Sequence, residues 1–217
     1  MEEVFLSESY HKKLNECNHV ILMFLSKLFL DGNKTIIWDT EKDDRESLLL
    51  ITKLAELLTK LRSPIQLWKG ETDEGEDYQF IIPMKERPYR AMQILYNIAR
   101  GHAILYGKNY LTNDDVKVLI PIVFSSMPDD RRRMWQLLVE NNGYLDYAAV
   151  IQSIGISKPQ AYRIMKLLGL LGVADYSGGD SEDEYDIQRK HLKIKPEYKN
   201  LLDKIKSMWR HSDETSH

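Results

Sequence analysis

Cysteine is almost absent from this 217-residue sequence, with Cys17 the only one. A single thiol excludes an intrachain disulfide framework and a cysteine-built zinc site. Cys17 falls in the apolar stripe of an expected helix and reads as a small core residue. The histidines His11, His19, His102, His191, His211 and His217 form no HxxxH, HExxH or paired spacing, so no metal is expected. Long hydrophobic runs are lacking as well. The most apolar stretch, Val20 to Leu30, is too short for a bilayer and is broken by Ser26 and Lys27. The chain opens on Glu2 and Glu3 rather than on a basic region, so no secretory leader is expected. No Gly-x-x-x-x-Gly-Lys-Ser/Thr loop occurs, no apolar strand ends in Asp-Glu, and no Ser or Cys sits in a nucleophile elbow. The adjacent pairs Asp43-Asp44 and Asp114-Asp115 cannot face one another on a helix and read as helix-start charges. These absences predict a cytoplasmic protein with no cofactor, no membrane span and no catalytic constellation of its own.

What is present is a helical pattern. The hydrophobic fraction of 43% allows a sizeable core, and the net charge of -3 leaves any nucleic-acid contact to a local basic patch. Leu14, Cys17, Ile21, Phe24, Leu25 and Leu28 recur at helical spacing within a first helix from Ser7 to Leu30. Lys34 to Asp39 is β-prone. Leu50, Ile51, Leu54, Leu57, Leu58 and Leu61 stripe a second helix over 46–62, which Ser63-Pro64 stops. Ile65 to Trp68 and Tyr78 to Ile82 read as a β-hairpin with an acidic tip at Glu71 to Asp77. Pro88 opens a third helix that ends at Gly107. Thr112 to Asp115 is a capping-box variant that starts a fourth helix to Ser125, with a kink or early end expected at Pro121.

Met127-Pro128 marks an expected boundary. Beyond it come helices over 129–141 and 147–154, a tight Gly155-Ile156 turn, and a third helix opened by Ser157, Pro159 and Gln160 in a capping box. Val173 to Tyr176 and Leu192 to Lys195 are short β-prone runs, Pro196 starts a last helix to Arg210, and Ser212 to His217 is expected to be disordered. The fold class is thus mainly α: a helical bundle with a small β-hairpin over 1–127, a second domain over 128–195, and a C-terminal helix and tail over 196–217.

The stretch Gly155-Ile-Ser-Lys-Pro-Gln-Ala-Tyr-Arg-Ile-Met-Lys resembles the turn and recognition helix of winged helix-turn-helix domains, and the order of elements from Asp129 to Lys195 agrees. The resemblance implies duplex DNA as a partner, contacted by Lys158, Gln160, Tyr162, Arg163 and Lys166, with Arg131 and Arg132 as further cations beside Arg133. One feature weighs against it: the wing carries Asp180, Glu182, Asp183, Glu184 and Asp186, which phosphate would repel. Arg131, Arg132 and Arg133 partly compensate, and their place at a helix N-terminus, where cations are unfavourable, favours a partner role for them as much as simple exposure.

A second resemblance lies upstream. Leu61-Arg62, Ile82-Pro83, Arg90 to Ala103 and Tyr110 to Val116 resemble the helical lid of AAA+ ATPases, in the style of minichromosome-maintenance and MoxR-type proteins. That resemblance implies that Arg90 is a sensor arginine reaching a nucleotide γ-phosphate, supplied by an ATPase core this chain lacks. Three functions stay open: a DNA-binding regulatory module, a protein-docking appendage of an AAA+ ATPase that leaves DNA alone, or a protein-protein scaffold with no nucleic acid at all, which the charge balance allows. A homodimer through the first helix is a further expectation.

Overall fold

In the computed structural model the described residues are 8–29, 36–65, 67–72, 75–80, 87–178 and 190–214. The chain divides into two units, Met1–Asp39 and Thr40–His217. The fold is mainly helical with a small three-stranded antiparallel sheet.

The first unit contains one described helix, α1 (Glu8–Phe29). The expected apolar stripe is present but is not a core. Cys17 is exposed, and Leu14 and Ile21 are 42% and 53% exposed. A lone helix has no second layer in its own unit against which to bury a stripe. Residues 36–39 are irregular rather than a strand, since β propensity needs a neighbouring strand to act on.

The second unit is built on α2 (Arg45–Arg62). Asp44 caps it, accepting from the Ser47 backbone N–H at 2.9 Å and the Ser47 hydroxyl at 2.6 Å. Leu54, Leu57 and Leu61 are completely buried, each contributing roughly 1.5–3 kcal/mol. After α2 comes a hairpin of β1 (Leu67–Thr72) and β2 (Gly75–Phe80), paired from Leu67↔Phe80 to Thr72↔Gly75. Most of the expected acidic tip is therefore strand. The ladder satisfies backbone groups that a loose loop would leave to water.

Next come α3 (Tyr89–Leu105), α4 (Asn113–Lys117) and α5 (Leu119–Ser125). The expected single helix over 113–125 is two. Pro121 has no N–H to give the Lys117 carbonyl, and its ring crowds that carbonyl, so the first piece stops at Lys117.

Asp115 holds this region together and is completely buried. It accepts from the Thr112 N–H at 2.9 Å, the Thr112 hydroxyl at 2.6 Å and the Lys108 ammonium at 2.7 Å, and meets His102 Nδ1 at 2.8 Å. Asp43 adds a second tie, accepting from the Leu111 N–H at 2.8 Å and the Tyr96 hydroxyl at 2.6 Å. Both carboxylates thus do more than start helices.

The remaining elements are α6 (Asp129–Glu140), β3 (Tyr144–Asp146), α7 (Tyr147–Ile154), α8 (Lys158–Leu170), β4 (Ala174–Ser177), β5 (His191–Ile194), a 3-10 turn (Pro196–Tyr198) and α9 (Lys199–Glu214). The sheet order is β3-β5-β4, antiparallel throughout. Between α6 and β3 the chain reverses at Asn142 and Gly143, with φ of 55° and 82°. A Cβ on Gly143 would lie 2.4 Å from Ile194 Cγ2, so the turn needs glycine for space as well as for backbone angle. Ser157 occupies the N-cap of α8 but makes no side-chain cap bond, so the expected box with Gln160 does not form. Helix α9 continues through Ser212 to Glu214, beyond the expected end. The acidic residues Asp180, Glu182, Asp183, Glu184 and Asp186 lie outside the described residues.

The segments before and after Met127 are tied across α2. Arg131 Nη1 donates to the carbonyls of Leu61 at 2.5 Å and Ser63 at 2.8 Å. Lys60 Nζ donates to the Gly172 carbonyl and to Glu197, both at 3.1 Å, and sits 4.9 Å from the centre of the buried Tyr198 ring. Trp135 meets that ring edge-on at 6.0 Å.

Two predictions follow from these ties. Burial pushes the Asp115 carboxyl up, but hydrogen bonds from Lys108, Thr112 and His102 outweigh it and bring it down to about 2. A carboxyl lower in the folded than the unfolded state stabilises above its unfolded pKa. The contribution, about 2.5 kcal/mol, should therefore be complete above about pH 5 and fade as pH falls through 4 towards 2. Urea melts across that range should lose this slope in Asp115→Asn; an unchanged slope would refute the assignment. Arg131→Ala should cost about 2–3 kcal/mol, because two helix-end carbonyls lose a charged donor. The check is the urea midpoint beside Arg133→Ala, which should move by under about 0.5 kcal/mol.

Candidate functional site

The cations expected to meet DNA lie on two helices, α6 and α8. Lys158, Tyr162 and Lys166 follow at four-residue spacing along one row of α8, with Arg163 beside them and Gln160 on the flank. Lys158 and Gln160 are exposed, whereas Tyr162, Arg163 and Lys166 are half-buried. Arg131 is directed to the end of α2. Burial lowers its pKa, Asp130 pulls the other way, and its Nη1 is bound to carbonyls of the chain. Arg132 is paired with Asp129, and Arg133 Nε reaches the same carboxylate at 2.8 Å. This also resolves the unfavourable placement of arginines at a helix start. Asp129 and Asp130 occupy the first turn with them and supply the negative charge the helix dipole favours.

Around Tyr162 lies an arrangement that sequence reasoning missed. Lys190 is 3% exposed, and its ammonium stands 4.7 Å from the centre of the Tyr162 ring and 5.9 Å from that of Tyr147. Lys166 Nζ lies 3.1 Å from the Tyr162 hydroxyl, and Tyr176 meets the Tyr162 ring edge-on at 6.1 Å. The Tyr147 hydroxyl donates to the Lys158 carbonyl at 2.5 Å and so anchors the first turn of α8. A buried ammonium between aromatic faces is stabilised by the ring quadrupoles. Tyr162 is therefore a packing residue as much as a surface one. No sequence signal marked Lys190, because its neighbours come from three separate elements.

The second candidate centre is the start of α3. Arg90 is exposed in its first turn. Beside it, Thr52, Glu56, Arg87, Pro88, Tyr89 and Met92 line an open groove of about 460 Å³. Thr52 reaches Met92 Sδ at 3.7 Å, which joins α2 to α3 at the groove floor. Such an end offers unpaired backbone N–H groups and a positive dipole, the polarity that attracts anions.

Among the described residues no group of three or more His, Cys, Asp and Glu side chains could hold a metal ion. Among them, too, no helix is long and apolar enough to cross a membrane.

Comparison with known proteins gives one finding. Residues 84–126, which contain α3, α4 and α5, match the family model of the AAA lid domain. No curated protein and no solved structure matches the chain. The expectation of a lid is met over this narrower stretch, with Arg90 inside it, and the stretch upstream of residue 84 is not matched. Residues 84–126 are thus an AAA lid-like region.

Proposed function

We propose that this protein is the lid-bearing regulatory part of an AAA+ ATPase system, with a winged-helix-like C-terminal domain fixed rigidly to the lid. The lid match over 84–126 carries this reading. The rest follows from packing. Arg131 and Lys60 tie the C-terminal elements to α2, so rotation of the lid would carry the C-terminal domain with it. In this reading, within the second unit, the part before residue 128 and residues 128–195 move together. Arg90 would face a nucleotide phosphate supplied by the core, where a permanent cation stabilises developing charge. The chain itself carries no phosphate-binding loop, so hydrolysis belongs to the core.

Duplex DNA is the second reading, favoured by Lys158, Arg163 and Lys166 on α8. These few cations make a weak, salt-sensitive contact.

The two readings separate by experiment. The whole chain, immobilised, should retain an AAA+ ATPase from a lysate of its own source, and Arg90→Glu should weaken retention when ATP is present. Retention of no AAA+ ATPase would refute the first reading. For the second, binding to random duplex DNA should fall about 40-fold between about 50 and 200 mM salt, as three phosphate contacts require. Arg163→Glu/Lys166→Glu should abolish it. Absence of binding at the lower salt would make the C-terminal domain a protein-docking module.

A further inference from the structure

The apolar face of α1 is the largest feature that the proposed function leaves without a role. On that face Leu14, Val20, Ile21 and Leu25 are 42%, 65%, 53% and 41% exposed. Packing of an apolar face, rather than intrinsic propensity, supplies most of a helix's stability in a protein, so this face calls for a partner.

The spacing identifies the partner. Leu14, Cys17, Ile21 and Phe24 follow at three, four and three residues, and the sequence carries the alternation on to Leu28. This is the 3.5-residue repeat of a coiled-coil seam, in which Leu14 and Ile21 take the a positions and Cys17 and Phe24 the d positions. The opposite stripe, Lys12, His19 and Ser26, is polar and exposed. Residues flanking the seam set the direction. Parallel pairing puts Lys13 of one helix against Asn18 of the other, and Val20 against Leu25, so the apolar seam widens and no like charges meet. Antiparallel pairing would set Lys13 against Lys27 twice over, which destabilises. Six apolar side chains per helix give two copies on the order of 1,000 Å² to bury, the size at which association becomes specific.

We infer that α1 is a homodimerisation helix, which pairs in parallel with α1 of a second copy through Leu14, Cys17, Ile21 and Phe24. This interface is independent of both the lid and α8, and it brings two C-terminal domains into one particle. It also sets the only two thiols of the dimer face to face across the seam.

That last consequence makes the test direct. Light scattering on the whole chain should give a dimer, and a short bismaleimide should join the copies through Cys17, the sole cysteine. Ile21→Glu places a charge in the seam and should raise the dimer dissociation constant by on the order of 100-fold. Crosslinking should disappear with it, while the thermal transition of the second unit stays unchanged. Ser26→Glu, on the polar stripe, should leave both mass and crosslinking as they are. A monomer at all concentrations, a dimer that survives Ile21→Glu, or a dimer that resists the crosslinker would each overturn the inference. The last outcome would indicate antiparallel pairing or another surface, and a monomer would give the face to a different partner.

Discussion

A helix leaves its last carbonyls without donors, and a buried helix end must find them elsewhere in the chain. For α2 the donor is Arg131, 70 residues on from Leu61 in sequence. The guanidinium closes over Leu61 and Ser63, and one turn back Lys60 reaches out to Gly172 and Glu197. The end of α2 is therefore where α6, the turn after α8 and the approach to α9 meet. Removing the donor would leave the two carbonyls unpaired at that junction.

This arrangement bears on how α2 is coupled to the elements that follow residue 126. A flexible tether would leave the C-terminal domain free to search. A clamp of charged hydrogen bonds with Trp135 and Tyr198 packed behind it makes the two parts one body. The buried Asp115 network does the same on a smaller scale, locking the end of α3 to the start of α4 through Lys108 and His102. Rigid coupling of this kind suits transmission of motion better than independent binding.

The electrostatics of α8 show how a surface motif is altered by what stands behind it. Tyr162 and Lys166 look like readers of a groove when the helix is considered alone. In the fold they share a cluster with Lys190, Tyr147 and Tyr176, and only part of each remains for a ligand.

Much of this was legible in the residues. Helical periodicity located α2, α3 and α6–α8, Asp146 and Thr112 marked helix starts, and Asn142-Gly143 marked a reversal, because those signals act over three or four residues. The AAA lid was legible for the same reason, as a local run of small and apolar residues around Arg90. Long-range choices were not legible. Whether Arg131 faces solvent or a helix end, whether Asp115 is exposed or central, and whether Tyr162 reads a surface or packs against a buried lysine depend on residues far apart in sequence. Local propensity sets which elements form. Tertiary packing alone decides which charges are left for a partner, because a charge taken out of water must be matched by whatever group the fold brings to it.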